Sequence, residues 1–211
     1  VEPVQGESGI FPSEDGFLRE LRKIADAEGL LLLFDEVQCG VGRTGALFGH
    51  TASGVKPDVM GLAKGLGGGF PIGAVMATDR SAAGMGPGTH VCTFWCNPIS
   101  AAWANAVLDV LLTEGFLDQV SVSGHQLRNA VDEVAADFPS ILPTVRSKGL
   151  MIGMKCGPSN IELVDELRRQ KVLTVPAGDN VVRFLPPLNI ENKQINEAQD
   201  ALANACKELS L

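Results

Sequence analysis

A polar tetrapeptide, Asp35-Glu36-Val37-Gln38, directly follows an apolar run at residues 30–34. A continuous apolar run is typical of a strand that is buried on both faces of a sheet. Ligands of open α/β sheets bind beyond the carboxyl ends of such strands. A carboxylate at that place is poorly hydrated, so it needs a cation or a hydrogen-bond donor. Asp35 is therefore a candidate binding residue, and a turn cap or an ion pair with an arginine is the alternative.

Lys64 lies in a glycine-rich loop at residues 63–71. Flanking glycines allow the backbone to approach a ligand closely, and a lysine in a partly dry pocket becomes a nucleophilic amine. A solvated surface lysine is the alternative. A nucleotide-binding loop is excluded here, because the third glycine of a G-x-G-x-x-G spacing is replaced by Phe70 or Ile72.

His90, Cys92 and Cys96 have an H-x-C-x3-C spacing that resembles part of a zinc site. A closed zinc site needs four ligands, and no fourth ligand lies nearby in the sequence. Buried thiols are the simpler interpretation. We therefore predict no bound metal, and a non-catalytic metal-binding or interaction module using these residues remains the alternative.

Arg183 lies within the apolar segment 181–187. A buried arginine is costly unless an anion meets it. A substrate carboxylate held by two parallel hydrogen bonds would meet that need. A structural ion pair, with an acidic side chain such as Glu7, is the alternative.

The composition limits the kinds of protein that could position these residues. The 211 residues carry a net charge of −8, with 45% hydrophobic and 20% charged side chains. These values exclude a disordered, collagen-like or coiled-coil chain, and the negative charge argues against partners such as nucleic acid or an anionic membrane. No apolar run approaches the ~20 residues that a membrane helix needs. The five cysteines favour free thiols in a reducing compartment, so we expect a cytoplasmic protein.

The order of apolar patterns predicts an α/β domain with a mainly parallel sheet over residues 1–114 and a smaller α+β domain over residues 115–211. A helix is expected at 14–28, capped by Ser13 and ended by Gly29. The predicted strands are 1–5, 30–34, 59–62, 72–77, 144–146, 150–155, 172–175 and 181–184. The other predicted helices are 100–112, 116–138, 161–170 and 191–209.

Seven segments occur together in an order that resembles the class III, or ornithine-type, pyridoxal-phosphate (PLP) aminotransferases. They are VEPVQGESGIFP, LLLFDEVQCGVGRTG, KPDVMGLAKGLGGGFPIGAVMA, PGTH, TF, NP and LTVPAGDNVVRFLPPL. The resemblance covers essentially the whole chain, which corresponds to about the second half of the family's full-length protein. It implies part of the large domain of the fold type I PLP-dependent transferases, followed by a small C-terminal domain.

The resemblance also implies roles for individual residues. Lys64 resembles the lysine that forms the Schiff base with PLP, and Asp35 resembles the carboxylate that pairs with the pyridine nitrogen. Gln38 resembles the residue that hydrogen-bonds the phenolic oxygen of the ring. Thr93 resembles the threonine that reaches the cofactor phosphate of the neighbouring subunit.

Substrate contacts are implied in the same way. Arg183 resembles the arginine that binds the substrate α-carboxylate, and Glu7 resembles the glutamate that pairs with an active-site arginine and helps the site alternate between two substrates. Cys92 is predicted as a further substrate contact. The implied enzyme is a homodimer with active sites at its interface. It moves the ω-amino group of N2-acetylornithine to 2-oxoglutarate by a ping-pong reaction, and ornithine, succinylornithine and 4-aminobutyrate are the alternative donors.

One segment departs from the family pattern H-G-S-T-F-G-G-N-P. The small residues of that pattern are replaced by Val91, Cys92, Trp95 and Cys96. Because glycines beside a phosphate usually allow close backbone approach, we expect these changes to impair phosphate binding or dimer packing. The family's N-terminal segments, which supply further cofactor contacts, are not in this sequence, so we expect the chain alone to be inactive.

Overall fold

The computed structural model describes residues 1–14, 16–90, 92–95 and 97–210. The chain divides into two compact units. Unit 1 comprises Val1–Pro3, Ser13–Gly42 and Ala46–Phe116, and unit 2 comprises Val4–Pro12, Arg43–Gly45 and Leu117–Leu211. The division into domains at residues 1–114 and 115–211 remains a prediction.

Nine strands and six α-helices are present in the described part of the chain. The strands are β1 Val4–Gln5, β2 Phe11–Pro12, β3 Leu33–Asp35, β4 Val59–Leu62, β5 Ala74–Ala77, β6 Thr144–Lys148, β7 Met151–Lys155, β8 Val175–Ala177 and β9 Val181–Phe184. The helices are α1 Phe17–Glu28, α2 Asp79–Ala82, α3 Pro98–Leu111, α4 Phe116–Asp137, α5 Asn160–Arg169 and α6 Asn192–Glu208. None of the described helices is long and apolar enough to cross a membrane.

Helix α1 ends as the sequence predicts, because Gly29 takes the left-handed conformation with φ 67°. Its start differs from the prediction. The helix begins at Phe17 with Gly16 at the N-cap position, and no side chain caps it. The predicted Ser13 cap is wrong, because the Ser13 backbone N–H is bonded to the carbonyl of Pro3 and this residue precedes the helix.

Strand β3 is an edge strand of the three-stranded sheet in unit 1, whose order is β3-β4-β5. It pairs in parallel with β4, and β4 pairs antiparallel with β5. The prediction that this segment is buried on both faces is wrong for this chain. Leu32 and Phe34 are buried beneath α1, whereas Leu31 and Leu33 are each nearly half exposed. The reason is that α1 covers one face only, so burial alternates along the strand with the period of two expected of an extended chain.

Unit 2 contains a four-stranded antiparallel sheet in the order β6-β7-β9-β8. All four residues of β9 and the first four of β7 are buried. The strand predicted at 172–175 begins three residues later, at Val175. The reason is that residues 171 and 172 complete the end of α5: Lys171 has φ 65° and the Val172 N–H bonds the Leu167 carbonyl.

Helix ends elsewhere lie within two residues of the predicted ones, and local capping explains the differences. Asn97 accepts hydrogen bonds from the backbone N–H groups of Ile99 and Ser100, and Pro98 occupies the first position of α3. Ser159 caps α5 in a similar way. Each cap satisfies N–H groups that have no partner inside the helix.

Candidate functional site

Two predicted residues lie at the carboxyl ends of neighbouring parallel strands of unit 1. Asp35 is the last residue of β3 and lies opposite Gly61 of β4. Lys64 comes two residues after β4 ends at Leu62. Because β3 and β4 are parallel, their carboxyl ends meet at one edge of the sheet, and both side chains belong to that edge.

The Asp35 carboxylate is exposed, and its Oδ1 accepts a hydrogen bond of 2.9 Å from the Val37 backbone N–H. This contact is the turn interaction that the sequence left open as an alternative. No ion pair of Asp35 is present within the described residues. The exposed carboxylate therefore remains available to a cationic group of a ligand.

Lys64 is exposed and has an unusual backbone conformation. Its φ is 44°, in the left-handed region, and it begins a 3₁₀ turn over Lys64–Gly67. A non-glycine residue in that region costs about 1–3 kcal/mol and persists only where its surroundings impose it. Among the residues that the structure describes, none forms a hydrogen bond or ion pair with the Lys64 amine. A strained backbone that carries an unengaged amine is typical of a functional position.

Glu36, beside Asp35 in the chain, is completely buried and accepts several hydrogen bonds. Its Oε2 accepts from the Gly49 N–H at 2.7 Å, and its Oε1 accepts from the His50 N–H at 2.9 Å. The Nδ1 atom of His50 lies 2.7 Å from Oε1, and the Cys39 thiol lies 3.3 Å from Oε2. Burial acts to raise the pKa of Glu36, but these hydrogen bonds outweigh it and lower the pKa below its usual value.

Glu36 and His50 were not among the site residues predicted from the sequence. A signal for Glu36 was present, because residues two apart in a strand share a face. Leu32 and Phe34 lie on the buried face, so the same alternation places Glu36 on that face and Asp35 on the exposed one. The partner of Glu36, fourteen residues further along the chain, had no comparable signal.

Gln38 lies half-buried in the turn that follows Glu36. Three residues on, Val41 is buried and has φ 55°, which is a strained conformation for a β-branched side chain. A β-carbon placed on Gly65 would lie 3.4 Å from the Cβ of Val41. The turn that carries Gln38 therefore packs against the residue that follows Lys64.

Cys92 and Thr93 are exposed and lie in a turn closed by a hydrogen bond from the Trp95 N–H to the Cys92 carbonyl. The His90 and Trp95 rings are 6.4 Å apart. Val91 and Cys96 lie outside the described residues, so the predicted effect of the altered family pattern stays a prediction. Within the described residues, no group of three histidine, cysteine, aspartate or glutamate side chains could hold a metal.

Arg183 and Glu7 form an ion pair in unit 2. The Arg183 side chain is only 3% exposed, and its Nη1 and Nη2 atoms donate to the two Glu7 carboxylate oxygens at 2.9 and 3.1 Å. Nη2 also donates to the Pro176 carbonyl at 3.2 Å. The Glu7 side chain is 76% exposed. The Gly178 N–H donates a hydrogen bond to the backbone carbonyl of Glu7. The ion pair that the sequence left open as an alternative is present, and it shows Arg183 oriented for a carboxylate.

The structure thus places the predicted residues in two groups. Unit 1 contains Asp35, Gln38, Lys64, Cys92 and Thr93, and unit 2 contains Glu7 and Arg183.

Known proteins are similar to this chain over its whole length. A profile of the family Aminotransferase class-III matches residues 1–206. The chain is 49% identical over 210 residues to the acetylornithine aminotransferase of Mesorhizobium japonicum, covering all of this chain and 53% of that protein. It is 51% identical over 210 residues to acetylornithine aminotransferase 1 of Bradyrhizobium diazoefficiens, with 100% and 52% of the two chains covered.

A solved structure of ornithine aminotransferase from Toxoplasma gondii is also similar. Its TM-score is 0.92 at 30% identity, and the alignment covers all of this chain and 51% of that one. That protein was crystallised in the presence of oxidized glutathione, with partial occupancy of PLP at its active site. The chain spans about half the length of the curated relatives that it matches.

Proposed function

Because the chain belongs to the class III aminotransferases, we propose that it is the lysine-bearing part of an enzyme that transfers the ω-amino group of N2-acetylornithine to 2-oxoglutarate. Two relatives named for acetylornithine, at 49% and 51% identity over the whole chain, support this donor. The likeness to an ornithine aminotransferase, at 30% identity, keeps ornithine as the second candidate donor. Succinylornithine and 4-aminobutyrate stay predictions from the family resemblance.

The observation that carries the proposal is the pair of side chains at the ends of β3 and β4. The exposed carboxylate of Asp35 and the unengaged amine of Lys64 lie at the carboxyl ends of neighbouring parallel strands. The backbone of Lys64 has φ 44°. These groups fit PLP, since its aldehyde reacts with an amine and its pyridine nitrogen binds a carboxylate when protonated. When bound, PLP supplies an electron sink that stabilises negative charge at the substrate carbon that loses a proton.

Each residue has a defined task in this proposal. Lys64 holds the cofactor through its Nζ atom and, once replaced there by the donor, moves the proton at the reacting carbon as base and then as acid. Asp35 keeps the pyridine nitrogen protonated, and Gln38 donates a hydrogen bond to the phenolic oxygen. Thr93 contributes to binding of the phosphate in the neighbouring subunit.

Arg183 binds the carboxylate of a substrate through two parallel hydrogen bonds, the arrangement that it now makes with Glu7. The exposure of Glu7 supports its role as a group that a substrate displaces, because its carboxylate can be hydrated when a substrate carboxylate takes its place on Arg183. Cys92 is proposed as a further substrate contact, supported by its exposure beside Thr93.

A homodimer with active sites at its interface is part of the same proposal. Helix α3 supports it, since Ile99, Trp103 and Val110 are each more than half exposed on an apolar helix. A cytoplasmic location is supported by Cys92, Cys156 and Cys206, which are not in disulfide bonds within the described residues.

The test uses the full-length protein, PLP and two lysine variants. Borohydride reduction followed by peptide mapping marks the lysine that carries the cofactor. We expect the mark on Lys64, and its loss in Lys64→Ala together with a decrease of about 10³-fold or more in turnover of N2-acetylornithine. The control is Lys56→Ala, an exposed lysine of the same unit, which should keep both the mark and the activity. A mark on another lysine would refute the assignment.

The donor is tested separately by comparing kcat/KM for N2-acetylornithine and ornithine, each with 2-oxoglutarate. A higher value for N2-acetylornithine supports the first proposal. A higher value for ornithine would replace it by the second while leaving the role of Lys64 intact.

A further inference from the structure

Glu36 is a buried carboxylate that was not predicted from the sequence as a site residue and has no role in the proposed reaction. It is 0% exposed, and it lies between Asp35, which binds the cofactor in our proposal, and the turn that carries Gln38. A buried carboxylate is unfavourable unless its oxygens are satisfied, and here both oxygens accept hydrogen bonds from Gly49 and His50. The carboxylate therefore ties residue 36 firmly to residues 49 and 50.

The space around this carboxylate is closed on two sides by glycines. A β-carbon placed on Gly40 would lie 3.0 Å from the Glu36 Oε2 atom, and one placed on Gly49 would lie 3.1 Å from it. The Gly40 N–H also donates to the Glu36 carbonyl at 2.9 Å, which closes the turn. Backbone and side chain of the same residue thus hold the turn at residues 37–42, which we call the 37–42 turn.

Val41 connects the 37–42 turn to the segment of the proposed catalytic lysine, because it packs at the residue after Lys64. Val41 is buried and strained, with φ 55°, and such a conformation persists only where neighbouring contacts impose it. Its side chain packs at Gly65, directly after Lys64, whose own φ is 44°. One strained residue, Val41, thus packs against the residue that directly follows the other, Lys64, and Glu36 anchors the turn that carries Val41.

We propose that Glu36, together with His50, is a positioning residue that acts through the 37–42 turn on Gln38 and Lys64. The inference rests on the proposed function for the roles of those two residues. Glu36 itself touches neither substrate nor cofactor in this proposal. Its effect comes from fixing Val41 against Gly65 and Gln38 beside Asp35.

The test replaces Glu36 by glutamine in the full-length protein. The glutamine amide nitrogen, in either orientation, would face a buried N–H donor of Gly49 or His50, so one hydrogen bond is lost while shape is kept. The matched control is Asp58→Asn in the same unit. Asp58 also accepts from a backbone N–H, that of Leu32, and from Arg22, and its hydrogen bonds do not involve the 37–42 turn.

We expect both variants to lower the temperature of unfolding, because each loses a partly or fully buried carboxylate. Only Glu36→Gln should also speed amide hydrogen exchange at residues 49 and 50 and weaken the affinity for PLP by about 10- to 100-fold, with kcat lowered more than KM is raised. A role in stability alone would give Glu36→Gln and Asp58→Asn the same PLP affinity and the same kcat.

A second pair of variants covers the case in which Glu36→Gln does not fold. His50→Asn keeps an N–H donor near the position of Nδ1, whereas His50→Leu removes it and retains an apolar side chain between Phe34 and Phe48. We expect His50→Asn to bind PLP more tightly than His50→Leu. Equal PLP affinity in these two variants would overturn the positioning role.

The two proposals fail in different ways. If the unaltered protein does not bind PLP, the proposed function is wrong and the positioning role falls with it. If the unaltered protein binds PLP through Lys64 and Glu36→Gln binds it equally well, only the positioning role is wrong.

Discussion

The two units of the molecule hold their key cations in opposite ways. In unit 1, Lys64 is exposed, has a strained backbone with φ 44°, and is engaged by no other described side chain. In unit 2, Arg183 is 3% exposed and makes two hydrogen bonds to Glu7. The difference matches the chemistry proposed for each residue. An amine that reacts must have a free nitrogen, whereas an arginine that recognises a carboxylate must be held in the orientation that the carboxylate needs.

Neighbouring carboxylates repeat this contrast within unit 1. Asp35 is exposed and makes one hydrogen bond to the backbone, whereas Glu36 is fully buried and accepts from two backbone N–H groups and a histidine. They are consecutive residues, so the alternation of an extended chain sends them to opposite faces. The Asp35 carboxylate is thereby available to a ligand, whereas the Glu36 carboxylate makes structural hydrogen bonds inside the protein.

The largest effect that would test this comparison is expected from Arg183→Lys. A lysine cannot make two parallel hydrogen bonds to a carboxylate, so the KM for 2-oxoglutarate should rise about 100-fold with little change in kcat. Steady-state kinetics on the full-length protein measure both constants. The control is Arg146→Lys in the same unit, an arginine that bonds Asp179 and lies over the Phe11 ring. Similar kinetics for the two variants would contradict the role of Arg183.

A smaller effect is expected from Glu7→Gln, which removes the anion that a substrate must displace from Arg183. The KM for 2-oxoglutarate should fall by about two- to fivefold, since Glu7 is largely exposed and its ion pair is screened by water. The free energy of unfolding should also decrease, because the Arg183 side chain is only 3% exposed and loses its anionic partner. Kinetics and thermal unfolding measure the two effects. Glu197→Gln, in an exposed helical pair with Lys193, should leave KM unchanged, and a rise in KM with Glu7→Gln would oppose the proposal.

The smallest effect is expected at the ion pair between Arg22 and Asp58 in unit 1, which has no role in the proposed reaction. Hydrogen bonds from Arg22 and the Leu32 N–H lower the pKa of Asp58 in the folded protein. The folded state then binds fewer protons than the unfolded state, so the stabilisation is complete above pH ~4, the usual range of an Asp pKa, and is lost as pH falls through the lowered value. Thermal unfolding of the unaltered protein and Asp58→Asn should therefore differ at pH 7 and converge toward pH 2. A constant difference would exclude this linkage.

Local patterns in the sequence predicted several elements well. Strands β4 and β9 have the predicted bounds, and α1 ends at Gly29. These elements depend on short-range features, namely apolar periodicity and a glycine that adopts a positive φ, which are visible in a few consecutive residues. The segment order also predicted the class III aminotransferase family, which the comparison with known proteins confirms. The roles of the individual site residues remain predictions.

The amino-acid sequence by itself determined the residue types that can do the chemistry, the strands that end next to them and the family. Only the tertiary structure decided which partner each group has. Glu36 meets His50 fourteen residues away, and Arg183 meets Glu7 across 176 residues. The left-handed backbone of Val41 and Lys64 and the one-sided burial of β3 also depend on distant packing. Local propensity extends over a few residues, whereas such contacts and strained conformations exist only when the rest of the fold imposes them.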